Sequence, residues 1–254
     1  MNLADYLSHV LLTAGLDLLL LLPCLLLAFF TSSRKHTGLK PVLLFLLLFI
    51  LDMALIFLPK EARFIPAWGG FNWQGKLLQM AWPLLLVALL PAFTAARAGL
   101  ALPAERRSWR TWLITCVIYA LIGIPVMLLL GAHFSPASAS LPNYLYEASM
   151  PGLGEELVYR GIFLMLLNEA FGRPWKVAGI QMGWGLIIVS VMFGILHGVD
   201  VQAKGTLVFN VSFMAMLFPF VTGLVLAWLR ERTGSVWPSV LLHNFINILN
   251  TMFV

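Results

Sequence analysis

GEELVYRG, residues 154–161, sets two adjacent carboxylates and an arginine inside an apolar run. Whether that run lies in water or in lipid decides the fold. The whole 254-residue chain is 61% hydrophobic and 11% charged, with a mean hydropathy of +0.92. Soluble domains carry about 25% charged residues, so the composition assigns the chain to a bilayer. Only a helix, or a closed barrel, satisfies its own backbone there, and a helix needs about 20 apolar residues to cross. Eight runs meet that measure: 10–30, 41–58, 77–95, 111–130, 145–170, 178–197, 207–229 and 236–253. The expected fold is an all-α polytopic membrane protein of about eight transmembrane helices. It forms one transmembrane domain, 1–254, divided into N-terminal helices of unassigned role (1–140) and a motif-bearing core (141–254) whose last four helices form the cavity.

The net charge of +5 does not point to nucleic acid, because the basic residues sit in short loops rather than on one face. Eleven of the sixteen Lys and Arg lie in loops 31–40, 96–110, 171–177 and 230–235, and four lie at Lys60, Arg63, Lys76 and Lys204. By the positive-inside rule both termini are expected outside. Trp68, Trp73, Trp109, Trp175 and Trp237 fall near span ends, where amphipathic rings settle at the headgroups. Cys24 and Cys116 are far apart in apolar runs and support neither a disulfide framework nor a thiolate metal site. The N-terminus lacks the basic n-region of a cleavable signal, and the first run is read as a permanent span.

Charge at bilayer depth costs several kcal/mol and marks function, so the ionisable residues in the spans form a short list: Asp17, Asp52, Glu155, Glu156, Arg160, Glu169, His197 and His243. On a helix, Glu156 and Arg160 are i and i+4 in the favourable orientation for an ion pair, a structural lock. Glu155 is rotated by about 100°, has no local cation and requires a partner on another helix. Phe193 and His197 share a face in MFGILHGVD, where Gly194 and Gly198 allow close approach of a backbone or a substrate. His243 and Asn247 share a face in LLHNFINIL. Taken singly, each has a plain packing reading: a satisfied core histidine, interhelical glue for Asn210, Asn244 and Asn250, helix contacts for Asp17 and Asp52, an interfacial Glu169.

Together the three stretches resemble the CPBP family of intramembrane proteases, also called Abi or CaaX-protease-like, whose motifs read EExxxR, FxxxH and HxxxN in that order. Here they are Glu155-Glu156-x-x-x-Arg160, Phe193-x-x-x-His197 and His243-x-x-x-Asn247. The resemblance covers the last part of the chain. It implies hydrolysis of a peptide bond in a membrane-associated or lipidated protein, as in the CaaX prenyl endopeptidases. Residue by residue, it implies that Glu155 and His197 hold and deprotonate a water, that His243 and Asn247 stabilise the oxyanion, and that Glu156, Arg160 and Phe193 support them. Glu155, His197 and His243 are equally a His₂Glu zinc set with water in the fourth position. Both readings stand, with preference for the metal-free one because Asn247 suits an oxyanion donor and there is no HExxH helix. The expected partners are the bilayer and a membrane-associated or lipidated peptide, and the expected location is the bacterial inner membrane. The competing classes are a proton- or ion-coupled transporter, since intramembrane acids and histidines also form relays, and a non-catalytic immunity or scaffold member of the same fold.

A shared site makes a demand on depth. At about 1.5 Å per residue, Glu155 and His243 reach one level only if the fifth helix is entered from near Pro142, by a long or re-entrant segment. A separation beyond about 10 Å from both histidines would exclude the site.

Overall fold

The computed structural model describes residues 3–32, 38–62, 70–103, 105–136, 139–177, 179–203 and 207–253. Arg34, Lys35, Arg63, Trp68 and Lys204, on which the charge and interface readings partly rest, lie outside them. The described chain is helical: α1 (Leu3–Thr31), α2 (Leu39–Ala62), α3 (Trp73–Leu89), the short α4 (Ala95–Ala98), α5 (Arg106–Leu129), α6 (Leu141–Glu147), α7 (Met150–Glu156), α8 (Leu164–Phe171), α9 (Trp184–Gly198), α10 (Phe213–Thr233) and α11 (Trp237–Met252). Two antiparallel hairpins interrupt it, β1 (Trp175–Val177) with β2 (Ile180–Met182), and β3 (Val199–Ala203) with β4 (Leu207–Val211).

Among the described residues, four helices are long and apolar enough to cross a membrane: Leu3–Thr31, Leu39–Leu58 within α2, Arg106–Leu129 and Phe213–Thr233. This is an integral membrane protein of all-α class; the count of about eight transmembrane helices is not confirmed. The run 178–197 carries the second strand of a hairpin, Ile180–Met182, before the 15-residue α9. The run 207–229 likewise begins as β4, where LVFNV pairs with Val199–Ala203; Val and Phe suit a pleated surface as well as a lipid-facing helix.

The run 145–170 departs furthest from a plain span. It is entered from α6, whose N-cap Ser140 accepts from the Asn143 amide and whose first turn holds Pro142, a position where a missing N–H costs nothing. The chain breaks at Ala148 and Ser149 and resumes as α7. Immediately after Glu156 the helix widens into a π-helical turn, Leu157–Phe163, before returning to α-geometry in α8. The extended entry near Pro142 that a shared site demands is therefore present, in bent form. All seven residues of the π segment are buried: Phe163 packs against Phe45 of α2 and Trp82 of α3, with ring centroids 5.1 and 6.2 Å apart. The acids thus sit at the point where a central helix is both wound differently and clamped by its neighbours; π turns of this kind recur at functional sites.

Glycines set the closest approaches. A Cβ on Gly194 would stand 2.8 Å from the Met216 carbonyl oxygen of α10, and one on Gly198 would stand 2.7 Å from the Met216 nitrogen. The backbone expected to approach these glycines is that of α10. Gly194→Ala should therefore push α9 from α10, at a cost of about 1–3 kcal/mol for an overpacked contact, read as a lowered unfolding midpoint of the purified protein in detergent. Gly152 serves α11 in the same way: its N–H donates to Asn244 Oδ1 at 2.9 Å, where a Cβ would intrude to 2.4 Å. Asn244 also donates to the Ser149 carbonyl, so it acts as the interhelical glue its position suggests.

Candidate functional site

The three motifs meet. Glu155 and Glu156 end α7, Phe193 and His197 lie near the end of α9, and His243 and Asn247 lie in the middle of α11. Glu155 Oε2 is 4.0 Å from His243 Nε2, well inside the separation that a shared site requires.

Glu156 does more than lock Arg160. Its Oε1 accepts from Arg160 Nη1 at 2.8 Å and also lies 2.8 Å from His243 Nδ1. A carboxylate is an acceptor only, so the contact assigns a proton to His243 Nδ1 and turns Nε2 toward Glu155. Arg160 is fully buried, donates to the Gly223 carbonyl through Nη2, and lies with its guanidinium carbon 4.5 Å from the centre of the Phe193 ring. The same ring meets His197 at 4.4 Å and stands perpendicular to His243 at 5.7 Å. Phe193 is thus the apolar wedge between the arginine and both imidazoles. His197 Nδ1 is 2.7 Å from the Phe193 carbonyl oxygen, which assigns its Nδ1 proton and leaves Nε2 as an acceptor.

The partner that Glu155 requires on another helix is Lys76, which the loop count treats as a topology signal. Lys76 is buried in the first turn of α3, and its Nζ lies 2.5 Å from Glu155 Oε1. It donates as well to Gln79 Oε1 at 2.9 Å, and Gln79 Nε2 donates to Asp52 Oδ2, whose other oxygen accepts from Trp82 Nε1. This chain links α2, α3 and α7. Asp52 is a helix contact, as expected, but one that ends on the site. Gly154 makes room for it, since a Cβ there would meet Gln79 Oε1 at 2.9 Å. A second residue outside the motifs is Glu147 of α6, whose Oε2 accepts from Asn247 Nδ2 at 3.0 Å. Glu169 is exposed and pairs with Arg97.

Two cavities adjoin these groups. The larger, about 990 Å³, has Glu155 and His197 in its wall together with Lys76, Gln79 and Asp52, and its far side is α1. The smaller, about 290 Å³, lies among α5, α9, α10 and α11 and is lined by His197, His243 and Asn247 beside Phe193, Met127 and Phe218. His197 borders both. The cavity around Glu155 therefore extends beyond the last four helices. Among the described residues, no three His, Cys, Asp or Glu side chains come together as a metal-binding group.

An integral membrane protein with a Lys–Glu–His cluster gathered from α3, α7, α9 and α11 defines a class, the helical membrane proteins with a buried ionisable site. Residues 136–249 match the family model described as type II CAAX prenyl endopeptidase Rce1-like. That segment holds all three motifs, so this part of the chain is similar to the CPBP, CaaX-protease-like family. No curated protein and no solved structure matches the chain. The family is one of intramembrane endopeptidases of CAAX type, and this general class is the activity the match supports.

Proposed function

We propose that the chain hydrolyses a peptide bond of a lipidated or otherwise membrane-associated peptide at the Glu155–His243 pair. The observation that carries the reading is the free oxygen: Glu155 Oε2 makes no hydrogen bond among the described residues and faces His243 Nε2 at 4.0 Å, while Oε1 is held by Lys76. A carboxylate fixed at one oxygen and open at the other is oriented to take a proton from a water. His197, with its proton committed to Phe193 O, offers Nε2 as the second acceptor for that water. Attack on the carbonyl carbon then creates an oxyanion. His243 carries a donor at Nε2 in its doubly protonated form, and Asn247 has a second amide N–H besides the one given to Glu147; both suit the developing charge. The proton held by Glu155 passes to the leaving amine.

The cavities fit this division of labour. The larger one brings polar groups, and hence water, to Glu155. The smaller is walled mainly by apolar side chains and ends at His197, His243 and Asn247, which suits an apolar side chain or a lipid chain next to the bond to be cut. The positions of Glu155, His197 and His243 support a metal-free mechanism, because Lys76 already supplies the cation that neutralises Glu155 and would compete with a divalent ion for it.

Lys76 is on this reading a positioning residue. Lys76→Met should leave Glu155 free to turn, and misplacement of a catalytic group by about 1 Å costs roughly 10²-fold in rate. The expected result is a loss of that order in kcat, with KM little changed and partial recovery in Lys76→Arg. Unchanged kcat in Lys76→Met would contradict the role. The direct test of the proposed reaction is release of a C-terminal fragment from a farnesylated peptide by the purified protein, followed by mass spectrometry.

A further inference from the structure

The far wall of the larger cavity carries a polar stripe in an otherwise leucine-rich span. Ser8, His9, Thr13 and Asp17 of α1 all line it, and His9, Thr13 and Asp17 recur every fourth residue, on one face of the helix. Asp17 is 3% exposed, and its Oδ2 makes no hydrogen bond among the described residues; nor does the buried Thr13 Oγ1 one turn before it. A carboxylate and a hydroxyl left without partners at bilayer depth are costly. Two acids on the opposite wall of the cavity are provided for: Asp52 by Gln79 and Trp82, Glu155 by Lys76. The unmet requirement of the cavity is thus a cationic donor at Asp17.

We propose that Thr13 and Asp17 form a subsite for a basic side chain, Lys or Arg, of the peptide that enters this cavity. The proposal rests on the peptidase reading for the identity of the ligand, since Glu155 and His197 line the same space. An ammonium or guanidinium on the substrate would donate to Asp17 Oδ2, with Thr13 Oγ1 accepting a further N–H. Occupation by a peptide would set its backbone between α1 and the Glu155–His197 wall, so the subsite would select substrates by charge near the scissile bond.

The test uses the full-length protein in nanodiscs and fluorescent farnesylated peptides that differ at one position, Lys against norleucine, scanned along the residues flanking the lipidated cysteine. Binding is read by anisotropy and cleavage by mass spectrometry, separately. A hydrogen-bonded charge pair of this kind should make the Lys peptide bind about tenfold tighter than the norleucine peptide at one position. In Asp17→Asn that ratio should collapse toward one, and in Thr13→Val it should fall part of the way. Equal binding of the two peptides at every position by the wild type would overturn the proposal without recourse to any variant, and so would a preference that persists in Asp17→Asn. Cleavage without a Lys preference removes the subsite and leaves the peptidase; a Lys preference lost in Asp17→Asn, without cleavage of any peptide, removes the peptidase and leaves the subsite.

Discussion

Glu155→Ala is expected to abolish peptide cleavage, lowering kcat by about 10²–10⁴-fold, the contribution of a positioned general base, while the protein folds and purifies as before. The fold should survive because Glu155 is held by one contact with Lys76, and Lys76 retains Gln79 when the carboxylate is gone. Glu155→Gln sharpens the point. It keeps the shape and the ability to bond but not the basicity, so it should be as inactive as the alanine variant. Activity in Glu155→Gln within a few-fold of wild type would assign the base elsewhere.

The largest effect on stability is expected at Arg160. Arg160 and Glu156 are both fully buried, and Glu156 Oε1 is shared between Arg160 and His243. Arg160→Met would leave a buried carboxylate with the imidazole alone, and removal of one member of a buried pair costs about 3–5 kcal/mol. A marked drop in unfolding midpoint and in yield should follow. Glu156→Gln should be milder: the amide can still accept from Arg160 and from His243, but Arg160 is left buried without its counter-charge, so a smaller loss of stability is expected than in Arg160→Met. The charge that balances Arg160 and orders His243 is lost, however, and activity should fall with it. The double variant Glu156→Gln/Arg160→Met should be less destabilised than the sum of the two single changes, because the groups share one network. Additive losses, measured by thermal unfolding in detergent, would show that the two side chains are not coupled.

The sequence made the site legible through spacing. Glu156 with Arg160, Phe193 with His197 and His243 with Asn247 each fall at i, i+4, which defines a helix face without any knowledge of the fold. That geometry separated the two acids and left Glu155 in want of a partner from elsewhere. It did not reveal that Glu156 also holds His243, because the contact joins residues 87 positions apart and no local pattern encodes it. Lys76 was hidden by its place at the mouth of an apolar run, where a cation is ordinarily read as a headgroup contact. Its only signal was the orphaned Glu155 itself. Glu147 lies at the very start of the run 145–170, outside all three motifs, so no local pattern singled it out.

The breaks in the helices were hidden for another reason. Within Leu157–Phe163 only Arg160 is charged, so hydrophobic periodicity has no phase over that turn and a π turn looks like an α turn. The two hairpins arose from the same ambiguity, with Ile, Val and Phe serving strand and span alike; Gly179, at φ +80° in the first turn, was the local clue. Asp17 was legible as an intramembrane charge, but its lack of a partner could appear only once α1 had been placed against the cavity.

The central claim is that the Glu155–His243 pair hydrolyses a peptide bond beside the lipidated end of a substrate. One measurement tests it most directly: mass-spectrometric detection of the C-terminal fragment released from a farnesylated peptide by the purified protein and by Glu155→Gln, each with and without a strong chelator. The account predicts fragment from the wild type at the same rate in both conditions and none from Glu155→Gln. Equal release by both proteins would contradict it.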